Sequence, residues 1–376
     1  MSENPLFPDE ILVEILRRLP PKSAVRCTSV CKSWRCLIIH PSFISIHHRH
    51  SPSSVLLHSG NHLTLPHCRN SSALLLPSFP HLDSPVVAFS NALICIAYGE
   101  HCQPLIICNP SVRRYVTLPT PSHYPCHYFS YIAFAFDFPK CDYKVVRISC
   151  MVDDLSFGLS SPKVELYSLA TGFWRTRHGV APVCCITGDA PHSFHDGLVH
   201  WIAKRCVGDG WYVFVLSFCF EDELFREIEL PESLSWGDAV IVKVVGGGNG
   251  KTLSVYHVSA GSPCSCDIWV MKEYGVKESW NKVFGFSMNG FCLEAPSLGI
   301  MITDVAIPPL VLYVTNATGE VLLLMYVAGR RSLYSLDMEG KWFKDLQIEV
   351  GTEVVYCGYY SESLVLLNKA SGVVSY

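Results

Sequence analysis

The sequence predicts a mainly β fold with a small N-terminal all-α module: a three-helix unit followed by a β-propeller-like domain of about six blades. Three observations carry this prediction. Residues 7–45 hold apolar side chains at helical spacing, punctuated by prolines. From residue 50 onward the apolar runs are short, rich in Val, Leu, Tyr and Phe, and separated by turn residues. Within that second region one two-strand unit recurs six times. The chain therefore divides into 1–45 and 46–376.

In the first region Ile11, Leu12, Ile15, Leu16 and Leu19 make one helical stripe. Pro8 suits a first turn, Asp9 and Glu10 sit where the helix dipole favours negative charge, and Arg17 and Arg18 sit where it favours positive charge. Pro20-Pro21 stops the helix. A second helical stretch holds Ala24, Val25 and Cys27; a third holds Val30, Cys31, Trp34, Leu37 and Ile38 and ends at His40-Pro41. A unit of about 40 residues is at the limit of independent stability. Its surplus apolar surface belongs either to the rest of the chain or to a partner, and the residues alone leave both open.

In the second region the repeated unit is a strand, a polar or glycine turn, and a strand often carrying an aromatic and ending in Leu-Pro. It runs from Val55 to Pro66, Ile107 to Pro119, Val164 to Arg175, Leu216 to Pro231, Ile268 to Trp280 and Leu333 to Phe343. Its turns recur at intervals of 49 to 64 residues, near the ~40–50 of a four-stranded blade with room for loops. Two further strands, 354–359 and 363–367, are expected to pair with the hairpin near residue 57 and close the ring, which removes free sheet edges. An open pair of β-sandwiches is the alternative.

Composition excludes several functions. Of 376 residues, 49% are apolar and 16% charged, so the chain is not intrinsically disordered. The net charge of −4 provides no basic field for nucleic acid or an anionic membrane. No apolar run approaches the ~18–20 residues of a spanning helix. No secretory signal is visible, and 18 cysteines at irregular spacing read as reduced thiols. The expected location is the cytoplasm and/or nucleus, where the sequons at Asn70 and Asn316 are silent.

Catalytic motifs are weak. Val245-Gly-Gly-Gly-Asn-Gly-Lys-Thr252 lacks the first glycine of a phosphate-binding loop, and the residues after it read as a strand where that mechanism needs a helix N-terminus. Cys184-Cys185 and Cys264-Ser-Cys266 lack a second ligand pair at zinc spacing. Cys27 and Cys31 are spaced for one helix face but belong to the presumed helical core, and His47-His-Arg-His50 reads as a solvated linker. His195-Asp196 is adjacency, not a catalytic constellation. The eight tryptophans, at recurring unit positions, read as blade core. No cofactor, metal or catalytic residue is expected.

The helical region closely resembles an F-box. The matching residues are Phe7-Pro-Asp-Glu-Ile-Leu12, Ile15-Leu-Arg-Arg-Leu-Pro20, Val30-Cys-Lys-Ser-Trp34 and His40-Pro-Ser-Phe43. Phe7 stands where that family usually has Leu, and Ala24 where a larger aliphatic is common. Residues 90–370 resemble the F-box-associated, kelch-like domain of plant F-box proteins through Asn109-Pro-Ser-Val-Arg113, Phe136-Asp137, Asp142-Tyr-Lys-Val-Val-Arg147, Val164-Glu-Leu-Tyr-Ser168, Asp196-Gly-Leu-Val-His-Trp201, Phe225-Arg-Glu-Ile228 and the run from Ile268 to Trp280. Cys219 stands where that family usually has Asp, which reads as a lost turn hydrogen bond. The resemblance implies a non-catalytic substrate-recognition subunit of a Skp–cullin–F-box ubiquitin ligase. It implies an adaptor-docking face of Phe7, Pro8, Ile11, Leu12, Ile15, Leu16, Leu19, Pro20, Val25, Val30, Cys31 and Trp34, of which Leu16 and Val30 are also candidates for the module's own core. A target protein would be held by loops of the β-domain, with the Cys184–His195 segment and the Gly246–Gly250 turn as weak candidates. The rival readings are a scaffold acting outside the ligase and an enzyme with a polar cluster in the central channel; the low charge content disfavours the enzyme.

Overall fold

Four helices precede the first strand in the computed structural model, which describes residues 8–51, 53–59, 62–64, 86–97, 104–121, 128–137, 139–151, 162–178, 181–187, 193–195, 197–236, 240–247, 253–259, 265–287, 310–314, 320–327, 330–337, 342–349 and 355–368. Helix α1 (Asp9–Leu16) starts after Pro8, whose carbonyl accepts from the Leu12 N–H at 3.2 Å. Helix α2 (Pro21–Cys27) opens on a proline, where the missing N–H leaves nothing unpaired. Helix α3 (Lys32–Ile38) is capped by Cys31, whose Sγ accepts from the Trp34 N–H at 3.4 Å. Cys27 and Cys31 thus end one helix and cap the next, and do not share a helix face. The third helix ends before His40-Pro41 as expected, but the helical module has a fourth helix: Pro41 opens α4 (Pro41–Arg49), again because proline suits a first turn.

The strands follow as antiparallel meanders. A hairpin of β1 (Ser53–Ser59) and β2 (His62–Thr64) comes first. The next two sheets are β3 (Val86–Ser90), β4 (Leu93–Ala97), β5 (Leu105–Asn109) and β6 (Arg114–Thr117), then β7 (Tyr128–Asp137), β8 (Asp142–Met151), β9 (Lys163–Ser168) and β10 (Phe173–Arg177). The third sheet holds β11 (Cys185–Thr187), β12 (Ser193–His195), β13 (Leu198–Val207), β14 (Gly210–Cys219) and β15 (Phe225–Glu229), after which comes a short helix, α5 (Glu232–Ser235). Two more meanders are β16 (Val240–Gly247), β17 (Leu253–Ser259), β18 (Ser265–Met271) and β19 (Trp280–Ser287), and β20 (Leu310–Val314), β21 (Glu320–Val327), β22 (Arg330–Asp337) and β23 (Trp342–Glu349). The last strand, β24 (Val355–Ser361), pairs with β1 in the register Leu57↔Cys357, so both ends of the chain close the propeller. The expected second closing strand, 363–367, is instead a turn.

Each of the six repeated units in the sequence is a hairpin: β1–β2, β5–β6, β9–β10, β14–β15, β18–β19 and β22–β23. The described strands nevertheless form five sheets, against the expected six or so. The reason is local. Gly246 and Gly247 of β16 pair in parallel with Tyr313 and Val314 of β20, which fuses two four-stranded meanders into one eight-stranded sheet.

Apolar side chains fill the spaces between sheets. Leu93, Leu105 and Ile107 pack against Phe134, Val145 and Tyr167. Ala133, Val146 and Ile148 pack against Phe214, Leu216 and Phe218. Ile202, Val213 and Val215 pack against Leu253, Val255 and Met271. Central strands are covered on both faces, so β4 and β5 are buried along their whole length and read as continuous apolar runs. The turn at Cys219 is intact despite its residue: the Glu223 N–H donates to the Cys219 carbonyl at 2.8 Å, and Asp222 accepts from the Leu224 N–H at 3.1 Å.

Candidate functional site

Helix α1 is apolar on two faces. Leu12 and Leu16 point inward, 8% and 1% exposed, while Ile11 and Ile15 point outward at 45% and 49%. An apolar helix row is ordinarily covered, yet among the described residues nothing covers the outer one, Ile11 and Ile15. Pro8 and Pro20 are exposed, as is the α2–α3 turn with Val30 (63%) and Cys31. Leu19, Val25 and Trp34 are half-buried against the helical core. Phe7 lies outside the described residues. The expected docking face therefore divides. Pro8, Ile11, Ile15, Pro20, Val30 and Cys31 are presented to solvent; Leu12 and Leu16 are removed from it, because the i, i+4 row they share is the one that packs inward.

A polar rim flanks Ile11 and Ile15. Glu10, Glu14 and Arg18 line the same groove. Glu14 accepts from Arg17 at 2.5 Å and lies 3.6 Å from Arg18. The Arg17 hydrogen bond holds the Glu14 carboxyl below its usual value. Apolar anchors within a charged rim are the ordinary anatomy of a protein interface.

The inner faces of the helices are seated on the propeller. Leu16, Ala24, Ile38, Phe43 and Ile44 form one cluster with Val112 from the β5–β6 turn and Leu364 from the C-terminal turn, and Val365 and Leu367 pack on its edge. Polar contacts frame it. Buried His47 donates from Nε2 to the Leu19 carbonyl at 2.8 Å, and His48 bonds the Asn91 side chain at 2.5 Å. Ser111 Oγ meets the Tyr360 hydroxyl at 2.6 Å. The run His47–His50 is thus helix and seam, not solvated linker. Sequence reasoning missed Val112, Leu364, His47 and His48; the available signal was the Asn109-Pro-Ser turn, which brings Val112 to the seam.

Among its described residues the β-domain offers little chemistry. Burial pushes the Cys184 thiol up to about 12 and that of Cys185 upward as well, which disfavours the reactive thiolate in both. Leu253–Ser259 is a strand paired with β16, so the glycine-rich run does not open a helix. Among the described residues no three His, Cys, Asp or Glu side chains come together as a metal site. Cys264, Asp196, residues 188–192 and 248–250 lie outside the described residues.

Comparison with known proteins agrees with this arrangement. Residues 70–367 match the model of the F-box associated beta propeller domain, and residues 6–45 match the F-box-like model. The chain is 28% identical over 318 residues to F-box protein At5g49610 of Arabidopsis thaliana, covering 80% of this chain and 83% of that one. It is 27% identical over 307 residues to the same plant's F-box protein CPR1, covering 74% and 72%. It is 28% identical over 325 residues to its F-box protein At3g07870, again covering 74% and 72%.

Proposed function

This chain belongs to the F-box proteins with an F-box-associated β-propeller domain, and on that premise we propose that it is the substrate-recognition subunit of a Skp–cullin–F-box ubiquitin ligase. The helices would hold the Skp-type adaptor and through it the cullin–RING ligase; the propeller would hold a target protein. The chain contributes no catalytic group in this reading. Its action is proximity: tethering raises the effective concentration of the target's lysines beside a charged ubiquitin-conjugating enzyme. Ubiquitinated target would pass to proteasomal degradation, in the cytoplasm and/or nucleus.

One observation supports this above the others. The inward row of α1 is locked to the propeller through Leu16 and Leu364, while the outward row, Ile11 and Ile15, is left half-exposed. A helix so placed can hold a partner outside without loosening its own domain, and keeps target and ligase in fixed relation. The test is reconstitution of the full chain with a plant Skp-type adaptor and cullin. A stoichiometric complex that carries the chain into the assembled ligase supports the proposal. A chain that folds but enters no complex with any Skp-type adaptor contradicts it.

A further inference from the structure

The outer strand of the second sheet carries an unusual surplus of positive charge. Among the described residues, β10 pairs with β9 and its outer edge meets no other strand. Alternate residues of a strand share a face, so Phe173, Arg175 and Arg177 project together. Trp174 turns the other way, its Nε1–H donating to the Pro119 carbonyl at 2.6 Å. Phe173 is 75% exposed.

The two arginines lean over the β14–β15 turn onto Glu223, which sits in the left-handed region at φ 62° with its carboxylate directed into the seam between sheets. Glu223 accepts from Arg175, lies 3.5 Å from Arg177 Nε and 3.3 Å from Lys144 Nζ, and is 3.9 Å from Lys140 Nζ. The second carboxylate, Asp137, is 2.6 Å from Lys144 and 3.6 Å from Lys140. Asp222, beside Glu223, is taken by Arg226. Among the described residues, four cations therefore share two carboxylates. The side chains of Lys140, Arg175 and Arg177 remain 53%, 48% and 36% exposed, and Leu224 beside them is 45% exposed. An apolar rim around a cationic patch, next to an open strand edge, fits an anionic extended chain.

We propose that an acidic, extended segment of the target protein adds to the edge of β10, placing two carboxylates at alternate positions against Arg175 and Arg177 and an apolar side chain against Phe173. This deepens the receptor reading and rests on it. The strand period dictates the spacing: an apolar residue and two acids, each separated by one residue, all on one face.

The test is fluorescence anisotropy on the full chain with a labelled, end-capped peptide Leu-Thr-Glu-Thr-Glu. Saturable binding is expected, weakening with added salt. It should fall at least about tenfold for the glutamine version, for the reordered Leu-Glu-Thr-Thr-Glu, and for the Arg175→Ala/Arg177→Ala chain. Arg175 also holds Glu223, so Phe173→Ala, which lies outside the ion network, is the second variant and should show a comparable loss with an unchanged melting temperature. Absence of saturable binding, equal binding of the glutamine or reordered peptide, or unchanged affinity in the Phe173→Ala chain would each overturn the proposal. Self-association of the chain that the arginine variants abolish would do so too, by assigning the edge to a second copy. Adaptor binding is measured on the same preparations: a chain that binds adaptor but not peptide fails only this proposal, and one that binds peptide but no adaptor fails only the receptor reading.

Discussion

The side-chain amide of Asn109 donates to both the carbonyl and the hydroxyl of Ser363, each at 3.1 Å, across 254 positions of sequence. The same nitrogen reaches the Val365 carbonyl at 2.7 Å, and Asn109 Oδ1 accepts from the Ser111 N–H at 2.9 Å. One buried side chain thus shapes two turns and sets Leu364 and Val112 under the helices. Asn109→Ala removes the donor from buried carbonyls and is predicted to cost about 1–3 kcal/mol. Asn109→Asp should cost more, because an acceptor would then face acceptors. Thermal melting reads the loss, and hydrogen exchange in α1 should accelerate with it.

Leu16 and Ile15 are neighbours with opposite fates. Leu16→Ala opens a cavity at the helix–propeller seam and is expected to lower stability by about 2–5 kcal/mol. Ile15→Ala, at a half-exposed position, should change it by less than about 1 kcal/mol. Melting curves of the two variants separate a core position from the proposed docking position, and Leu16→Asp would report folding rather than adaptor binding.

His47 is buried, and its desolvation holds the imidazole pKa below 6.5 despite the Leu19 hydrogen bond. The folded state then binds fewer protons than the unfolded state, so its stabilising contribution is full above the unfolded value and is lost as pH falls through the folded one. Melting temperature is predicted to drop between about pH 6.5 and 5, and the slope should be shallower in His47→Gln.

Asp137 and Glu223 behave similarly at lower pH. Burial would raise both, but hydrogen bonds and charge from Lys144 on Asp137, and from Arg175 and Lys144 on Glu223, hold them below their ordinary 3.8 and 4.5. Their stabilisation is complete above those values and lost as pH falls through the depressed ones. Below pH 4.5 the wild type should lose stability more steeply than Glu223→Gln. Near neutrality Glu223→Ala should cost about 1–3 kcal/mol, because it takes one of two carboxylates from buried Lys144, which keeps Asp137, while the other cations facing it are partly exposed.

Much of this arrangement was legible in the sequence. The six hairpins follow from alternation and turn residues, and the closing pair β1–β24 from the need to remove sheet edges. The prolines mark where α1 and α2 begin. What escaped has physical causes. Pro41 follows the end of α3 and also begins α4, and the sequence pattern announces only the first of these roles. The fusion of two meanders rests on a short parallel contact at Gly246 and Gly247, and glycines carry no side-chain pattern. The division of α1 into inner and outer rows depends on Val112 and Leu364, which are distant in sequence, so Leu12 and Ile11 looked alike until the fold set them on opposite sides.

The central claim is that the outer row of α1 holds the adaptor while the inner row holds the propeller. The most direct measurement is the affinity of the full chain for a plant Skp-type adaptor, by calorimetry, in wild type and in Ile11→Asp/Ile15→Asp, with melting temperatures recorded for both. Tight binding by the wild type is predicted, with at least about a hundredfold loss in the variant and an unchanged melting temperature. Equal affinity in the variant, or no binding by a folded wild type, would contradict the account.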